Sequence, residues 1–460
     1  MAASRVAVKN YIDRPVPITP LITFRIVFGL LMFFSLIRFW WRDWITTVYV
    51  LPKFHFTYIG FEWVKPLGNT GMHLLFLTIT VASLLIALGL FYRVATVVFF
   101  AGFSYVELID VTTYLNHYYF ISLVAFLMIW LPTNRAYSLD ARLWPGIRRR
   151  MVPAWCIGII RFQMAVVYVF AGLAKLNADW LLNAQPMKIW LPAKTHLPVI
   201  GKYLYEAWVA YLFSWFGAAY DLFISFFLLY KKTRIAAYCF VIIFHLATAV
   251  FFPGIGMFPY VMIVCSLVFF SGAFHEKLLS FLPCYNRHIL ISEKEDHQHK
   301  ETIPDIKSYR GKRSWLIVPA ICVYTFIQIA MPLRFLLYPG RLFWNEEGYR
   351  FSWRVMLMEK SGAAYFTVKD KNTHQSFEIN NAEWLTPLQE KMMSTQPDMI
   401  IKYAHFLVGQ YKKRGIKNPG VFGEIYVSLN GQRSRLFIDS TVDLASRPLS
   451  WKHYKWVLPY

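Results

Sequence analysis

Nine apolar runs, each about 18–25 residues long, occupy most of the first 335 residues, near positions 20–38, 72–91, 94–110, 116–132, 155–176, 205–229, 235–252, 255–274 and 314–331. A run of that length crosses the hydrocarbon core of a bilayer as a helix, which satisfies its own backbone polar groups without water. With 57% hydrophobic and 18% aromatic residues, a water-soluble fold would have nowhere to put the apolar surface. The chain is therefore expected to form a polytopic all-α membrane bundle of about nine transmembrane helices. Glycine and proline inside several runs do not weaken this reading, because neighbouring helices re-satisfy the freed backbone groups. The opening MAASRVAVKNYIDRPVPITP has basic residues but no short apolar core followed by a small-residue cleavage site. No removable signal peptide is read there.

Basic residues set the orientation. They gather before the first run (Arg5, Lys9, Arg14), in RLWPGIRRR between the fourth and fifth, in KKTR between the sixth and seventh, and from Lys277 to Arg313 between the eighth and ninth. These are alternate loops, so nine spans and the positive-inside rule agree on a cytoplasmic N-terminus and an extracytoplasmic C-terminus. The stretch from Arg38 to Pro66 runs against the rule, since it places Arg38, Arg42, Lys53 and Lys65 outside.

After about residue 335 the pattern changes. YRFSWRVMLM, AAYFTVKD, QSFEIN and EIYVSLNGQRSRLFI alternate as strands do, and Asn430-Gly431 suits a hairpin turn. DMIIKYAHFLVGQYKKRG reads as an amphipathic helix closed by Gly415. Residues 336–460 are thus expected to form a small α+β extracytoplasmic domain after a membrane domain at 1–335. This tail is mildly basic, with 17 Lys and Arg against 11 Asp and Glu from Arg341 onward, a balance that favours acidic peptide segments. Most of the net charge of +22 lies on the inner loops, facing anionic lipid. Nucleic acid is not expected as a partner of an exported domain.

The five cysteines (Cys156, Cys239, Cys265, Cys284, Cys322) avoid the tail and form no CxxC signature. His297 and His299 in EKEDHQHKE read as a solvated loop. No metal site is expected.

What needs explaining is polar chemistry inside apolar spans. The fifth run, VVYVFAGLAKLNADWLL, reaches a lysine at its outer end, and Arg161, Tyr168 and Lys175 recur every seven residues on one helix face with Gly172. Asn116 and His117 open the fourth run, Glu107 and Asp110 close the third, and His245 lies about two thirds of the way along the seventh. Polar groups from four spans are expected to converge at the outer level, where ionisable residues are functional candidates by default. The plainer readings are a snorkelling lysine at a helix end and histidines that serve as interhelical hydrogen-bond partners.

The motifs FTYIGFEWVKP, YLNHYYFISLVAFLMIWLP, VVYVFAGLAKLNADWL and FHLATAVFFPGIGMFPYVMI, in this order, resemble the vitamin K-dependent gamma-carboxylase family, whose membrane part is also called the horizontally transferred transmembrane domain. The similarity covers roughly residues 15 to 280 and reaches more faintly into EIYVSLNGQRSRLFID. It implies an enzyme that oxidises vitamin K hydroquinone with O2 to the epoxide and couples this to carboxylation of glutamate side chains of a peptide or protein with CO2. The family's catalytic lysine falls on Lys175 and its supporting histidine on His117, with Asn116, His245 and Tyr168 as candidates for binding the lipid-soluble quinone.

A glutamate γ-carbon is far too weak an acid for any side chain of ordinary pKa, so the strong base must come from oxidation of the cofactor, and the protein base need only take a phenolic proton. Burial in an apolar site disfavours an ammonium and makes an amine available for that task. Animal members of the family have a larger lumenal part than this tail, which leaves hydroquinone epoxidation without carboxylation as an alternative. A transporter or lipid-binding scaffold would show paired half-helices or an inverted repeat, and the sequence has neither.

Overall fold

The computed structural model describes residues 12–281 and 314–460. In chain order the bundle comprises α1 (Thr19–Trp41), α2 (Gly68–Leu88), α3 (Tyr92–Ile109), α4 (Asn116–Trp130), α5 (Trp155–Ala174), α6 (Ala207–Leu229), α7 (Arg234–Phe251), α8 (Phe258–Cys265), α9 (Gly272–Leu279) and α10 (Ser314–Leu333). Among the described residues seven helices are long and apolar enough to cross a membrane, the last running Leu316–Leu337. Helix α4 is apolar but only 15 residues long; Pro132 follows its C-cap Leu131, whose backbone is already extended. Helix α8 with its following turn meets α9 at 118°. Where nine similar spans were expected, the structure therefore has seven together with a short helix and a bent pair. His297, His299 and Cys284 lie outside the described residues.

The bend between α8 and α9 has a local chemistry. Phe270 is extended, and the Ser271 side chain then accepts from the Phe274 N–H to restart the helix. Arg161 of α5 donates to the carbonyls freed there, Val268 at 2.8 Å, Phe269 at 3.3 Å and Phe270 at 3.1 Å. A broken helix inside a bundle needs such a donor.

Helices α1 to α4 pack side by side in sequence, α5 lies along α6, and α7 joins α6 to α8. A two-stranded antiparallel pair, β1 (Pro15–Pro17) with β2 (Met151–Pro153), holds the starts of α1 and α5 at one end. At that end Asp140 accepts from the backbone N–H groups of Phe91 and Tyr92, where α3 begins. The basic residues Arg142 and Arg148 to Arg150 belong to this end, as the segment between α4 and β2.

The C-terminal domain sits at the other end. Its four strands, β3 (Lys360–Asp370), β4 (Ser376–Ile379), β5 (Pro419–Leu429) and β6 (Arg435–Leu436), form an antiparallel sheet in the order β4-β3-β5-β6. Asn430 and Gly431 both have positive φ, 51° and 75°, and the Gln432 N–H returns to the Leu429 carbonyl, as an Asn-Gly hairpin turn requires. Helix α11 (Pro387–Met393) begins with a Thr386/Gln389 capping box. Helix α12 (Pro397–Lys413) buries one face against β5 and ends before Gly415 at φ 95°.

YRFSWRVMLM departs from the strand expected of it. Phe351, Trp353 and Met356 have positive φ, and tertiary contacts override the alternation. Trp353, 1% exposed, stacks on Tyr119 of α4 with ring centroids 5.0 Å apart and joins the apolar core of the bundle. Phe351 contacts Tyr58, Tyr114 and Tyr119. A second core runs without a break from Trp180, Val209 and Phe251 at the bundle's end into Phe366, Ile400 and Ile425 of the sheet domain.

One buried charge in this domain stands unpaired. Lys402 on α12 is 9% exposed and its Nζ has no hydrogen-bond partner. Burial pushes its amine down to about 8, with Asp398, Arg350, Glu62 and Asp110 as its charged neighbours. An amine depressed in the fold binds fewer protons folded than unfolded between about pH 8 and 10.4, so its penalty is full below that window and fades as pH rises through it. Lys402→Met should stabilise the protein at pH 7 by on the order of 2 kcal/mol, and the advantage should shrink by pH 10. Thermal unfolding in detergent across this range checks it; a gain independent of pH would contradict the assignment.

Candidate active site

The site begins with the spacing on α5. Arg161, Tyr168 and Lys175 all turn inward: Arg161 onto the α8–α9 bend, Tyr168 into the bundle core and Lys175, at the C-cap, toward α6. Lys175 is 5% exposed, and its Nζ donates to Asp221 Oδ2 at 2.6 Å. The Trp180 ring lies 5.2 Å from the amine. Trp180 is fixed in turn by its indole N–H on the Ser214 carbonyl and by Asn177, which caps the short helix Ala178–Leu181.

Gly172 is the reason the pair can form. A Cβ there would lie 2.5 Å from the Leu222 nitrogen, 2.7 Å from its Cα and 3.0 Å from the Asp221 carbonyl carbon. The backbones of α5 and α6 are in direct contact at this point, as small residues permit between membrane helices. Lys175, three residues on, thereby meets Asp221.

Two turns down the same face, the Tyr168 hydroxyl is 3.2 Å from His245 Nε2 and 3.4 Å from Ser266 Oγ. Tyr220, next to Asp221 in sequence, touches both rings, with centroids 6.0 Å from Tyr168 and 6.1 Å from His245. The Phe258 ring at the start of α8 lies 5.7 Å from His245 and 6.1 Å from His117. Lys175, Tyr168, His245 and His117 are thus linked through Asp221, Tyr220 and Phe258. Three buried nitrogens at this level, His117 Nε2, His245 Nδ1 and Arg38 Nε, have no hydrogen-bond partner.

Asn116 does not join this set. Its Nδ2 donates to the Arg354 carbonyl at 2.9 Å, and its Oδ1 accepts from the Tyr114 hydroxyl. Asp110 serves the same joint, accepting from Gln389 Nε2 at 2.9 Å and lying 3.2 Å from His55. Glu107 lies within electrostatic range of Tyr49, Tyr58 and Tyr118. The Asn116 Nδ2 thus ties the bundle to the C-terminal domain directly, and its Oδ1 does so only through Tyr114, whose hydroxyl accepts from the Phe351 N–H. Asp221 is not among the candidates named from the sequence, although an acid inside an apolar run is itself a signal. Tyr220 and Phe258 carry no such signal among so many aromatic residues.

Just beyond Lys175, a polar pocket of about 390 Å³ lies between the bundle and the sheet domain, lined by Asp179, Gln185, Lys188, Arg341 and Asn430 among others. Arg341 pairs with Asp179 at 2.5 Å, so the pocket also fastens the two parts together.

The HTTM domain family model matches residues 13–273. The family model described as vitamin K-dependent gamma-carboxylase, lumenal domain, matches residues 313–460. No solved structure matches the chain.

The packing at Gly172 gives a direct test. Gly172→Ala should cost about 1–3 kcal/mol through backbone overpacking. Gly158→Ala, on the same helix with nothing within 4 Å of the new methyl group, should be neutral or slightly stabilising. Unfolding temperatures of the two variants in one detergent compare them, and equal values would remove the close-contact account.

Proposed function

This chain belongs to the vitamin K-dependent gamma-carboxylase family, and on that premise we propose that it oxidises vitamin K hydroquinone with O2 to the epoxide and carboxylates glutamate side chains with CO2. The observation that carries this reading is the buried Lys175–Asp221 contact, linked through aromatic rings to histidine nitrogens that lack partners. A quinone ring needs flat apolar walls and a few polar groups aimed at its oxygens. Phe258 and Tyr220 supply the first, and His117 Nε2 and His245 Nδ1 are available for the second.

When bound and oxidised by oxygen, the hydroquinone supplies the strong base that glutamate γ-carbon chemistry demands. The chain's own residues have smaller tasks. Lys175 takes a hydroxyl proton at Nζ. His117 and His245 orient the ring by hydrogen bonds, and Tyr168 fixes His245 through Nε2. Trp180 and the shared apolar core keep water from the amine. The isoprenoid tail partitions into lipid, so the ring enters between helices, while the glutamate substrate approaches from the aqueous side of the C-terminal domain.

This reading requires the C-terminal domain outside the cytoplasm and the N-terminus and Arg148 to Arg150 inside, an orientation that the positive-inside rule favours. A reporter active only in the cytoplasm, fused after Tyr460, should stay silent, and the same reporter inserted between Arg148 and Arg150 should be active. The reverse pattern would move Lys175 to the cytoplasmic level and end the proposal.

Lys175→Ala should lower epoxide formation by on the order of 10²–10⁴, the range of a lost general base, while the protein still folds. Lys175→Arg should not substitute, because a guanidinium stays protonated. His117→Ala should lose less, as an orienting hydrogen bond does. Purified protein assayed for vitamin K epoxide, and for labelled CO2 in a glutamate peptide, reads both halves of the reaction. Epoxide without label would leave an epoxidase, and wild-type turnover by Lys175→Ala would return Lys175 to a snorkelling role.

A further inference from the structure

Lys175 has a partner that changes what its amine can do. Its Nζ lies 2.6 Å from Asp221 Oδ2, and an ammonium held so by a carboxylate has no lone pair with which to accept a further proton. Both side chains are almost fully enclosed, at 6% and 10% exposure. Lys175 is the only cation paired with Asp221 among the described residues, while Asp179, the next acid along the chain, is held by Arg341 and Asn430. The other titratable groups facing the pair are Tyr168 on α5, Tyr220 on α6 and, behind them, His245 on α7.

We propose that Asp221 is a positioning residue that makes Lys175 a usable base, the two side chains accepting one proton as a unit. This rests on the proposed hydroquinone reaction and deepens it. As a hydroxyl proton passes to Lys175 Nζ, one ammonium proton passes to Asp221 Oδ2. One O–H bond of the donor and one N–H bond break; one N–H and one O–H bond form; no electrons are exchanged. Lys175 is again an ammonium, Asp221 is a neutral acid, and the positive charge of the pair faces the oxygen that lost its proton. Proton transfer to a lone neutral amine would create two buried charges where there were none, whereas the pair begins and ends with two, the negative one moving from Asp221 to the oxygen. Gly172 contributes by letting the α6 backbone come close enough for a short, direct contact.

The test uses the full chain in detergent. Asp221→Asn should lower epoxide formation on the order of 100-fold, and Asp221→Glu should recover most of it, since a longer acid can still take the proton. Infrared difference spectra taken without oxygen, on adding vitamin K hydroquinone to protein labelled with ¹³C-carboxyl aspartate, should show a new protonated-carboxyl band in wild type that Asp221→Asn lacks. If Asp221→Asn misfolds around an unpaired lysine, the paired change Lys175→Met with Asp221→Leu should restore the wild-type unfolding temperature without activity, and the wild-type band alone then decides. Wild-type rates in Asp221→Asn, or no band in an active wild type, overturn the inference and leave the epoxidase reading intact. No epoxide from wild type would instead sink the reading on which it rests.

Discussion

Two opposite charges survive at the end of a membrane helix only while they remain in contact, because the cost of separating them in an apolar medium exceeds what either gains alone. In this chain the contact is enforced by bare backbone. Gly172 presents no side chain to Leu222, α5 and α6 touch, and Lys175 reaches Asp221 at 2.6 Å. Much else at that level follows from the registration of these two helices. Trp180 can lie against the amine because its indole reaches the Ser214 carbonyl of α6, and Tyr220 is brought beside Tyr168 and His245 because it precedes Asp221 on the same helix.

The C-terminal domain closes one end of this arrangement. Gln389 is bonded to Asp110 and to the Phe54 carbonyl, Glu359 to the Trp190 indole, and the Arg354 carbonyl to Asn116. These polar ties surround a core that passes from helix ends to sheet without interruption. The match of residues 313–460 to the family's lumenal-domain model fits a region that is structurally joined to the membrane part.

Periodicity made the bundle legible. Long apolar runs, the seven-residue recurrence of Arg161, Tyr168 and Lys175, the Asn430-Gly431 turn and helix Pro397–Lys413 are all written in local sequence, and local sequence determines them. The run near 255–274 gave no warning of its 118° bend, since the arginine that supports the broken backbone lies about a hundred residues away. Asn116 and His117 are both read from the sequence as candidates for the quinone site, yet successive residues on a helix point in different directions. Asn116 turns to Arg354, while His117 stays inside. YRFSWRVMLM alternated convincingly, but Trp353 found a deeper place against Tyr119 than a sheet would have offered.

That tryptophan carries a consequence for biogenesis. A membrane chain is threaded from its N-terminus, so α1 to α10 are synthesised before Trp353 emerges, and the position beside Tyr119 waits for a residue made after all of them. Until then that end of the bundle has an incomplete core, with apolar side chains left uncovered. Maturation is therefore an event in time as well as in space: the core is complete only when the segment around Trp353 has folded back onto the bundle. A nascent chain stalled before that point displays the exposed apolar surface by which chaperones and proteases sort unfinished proteins.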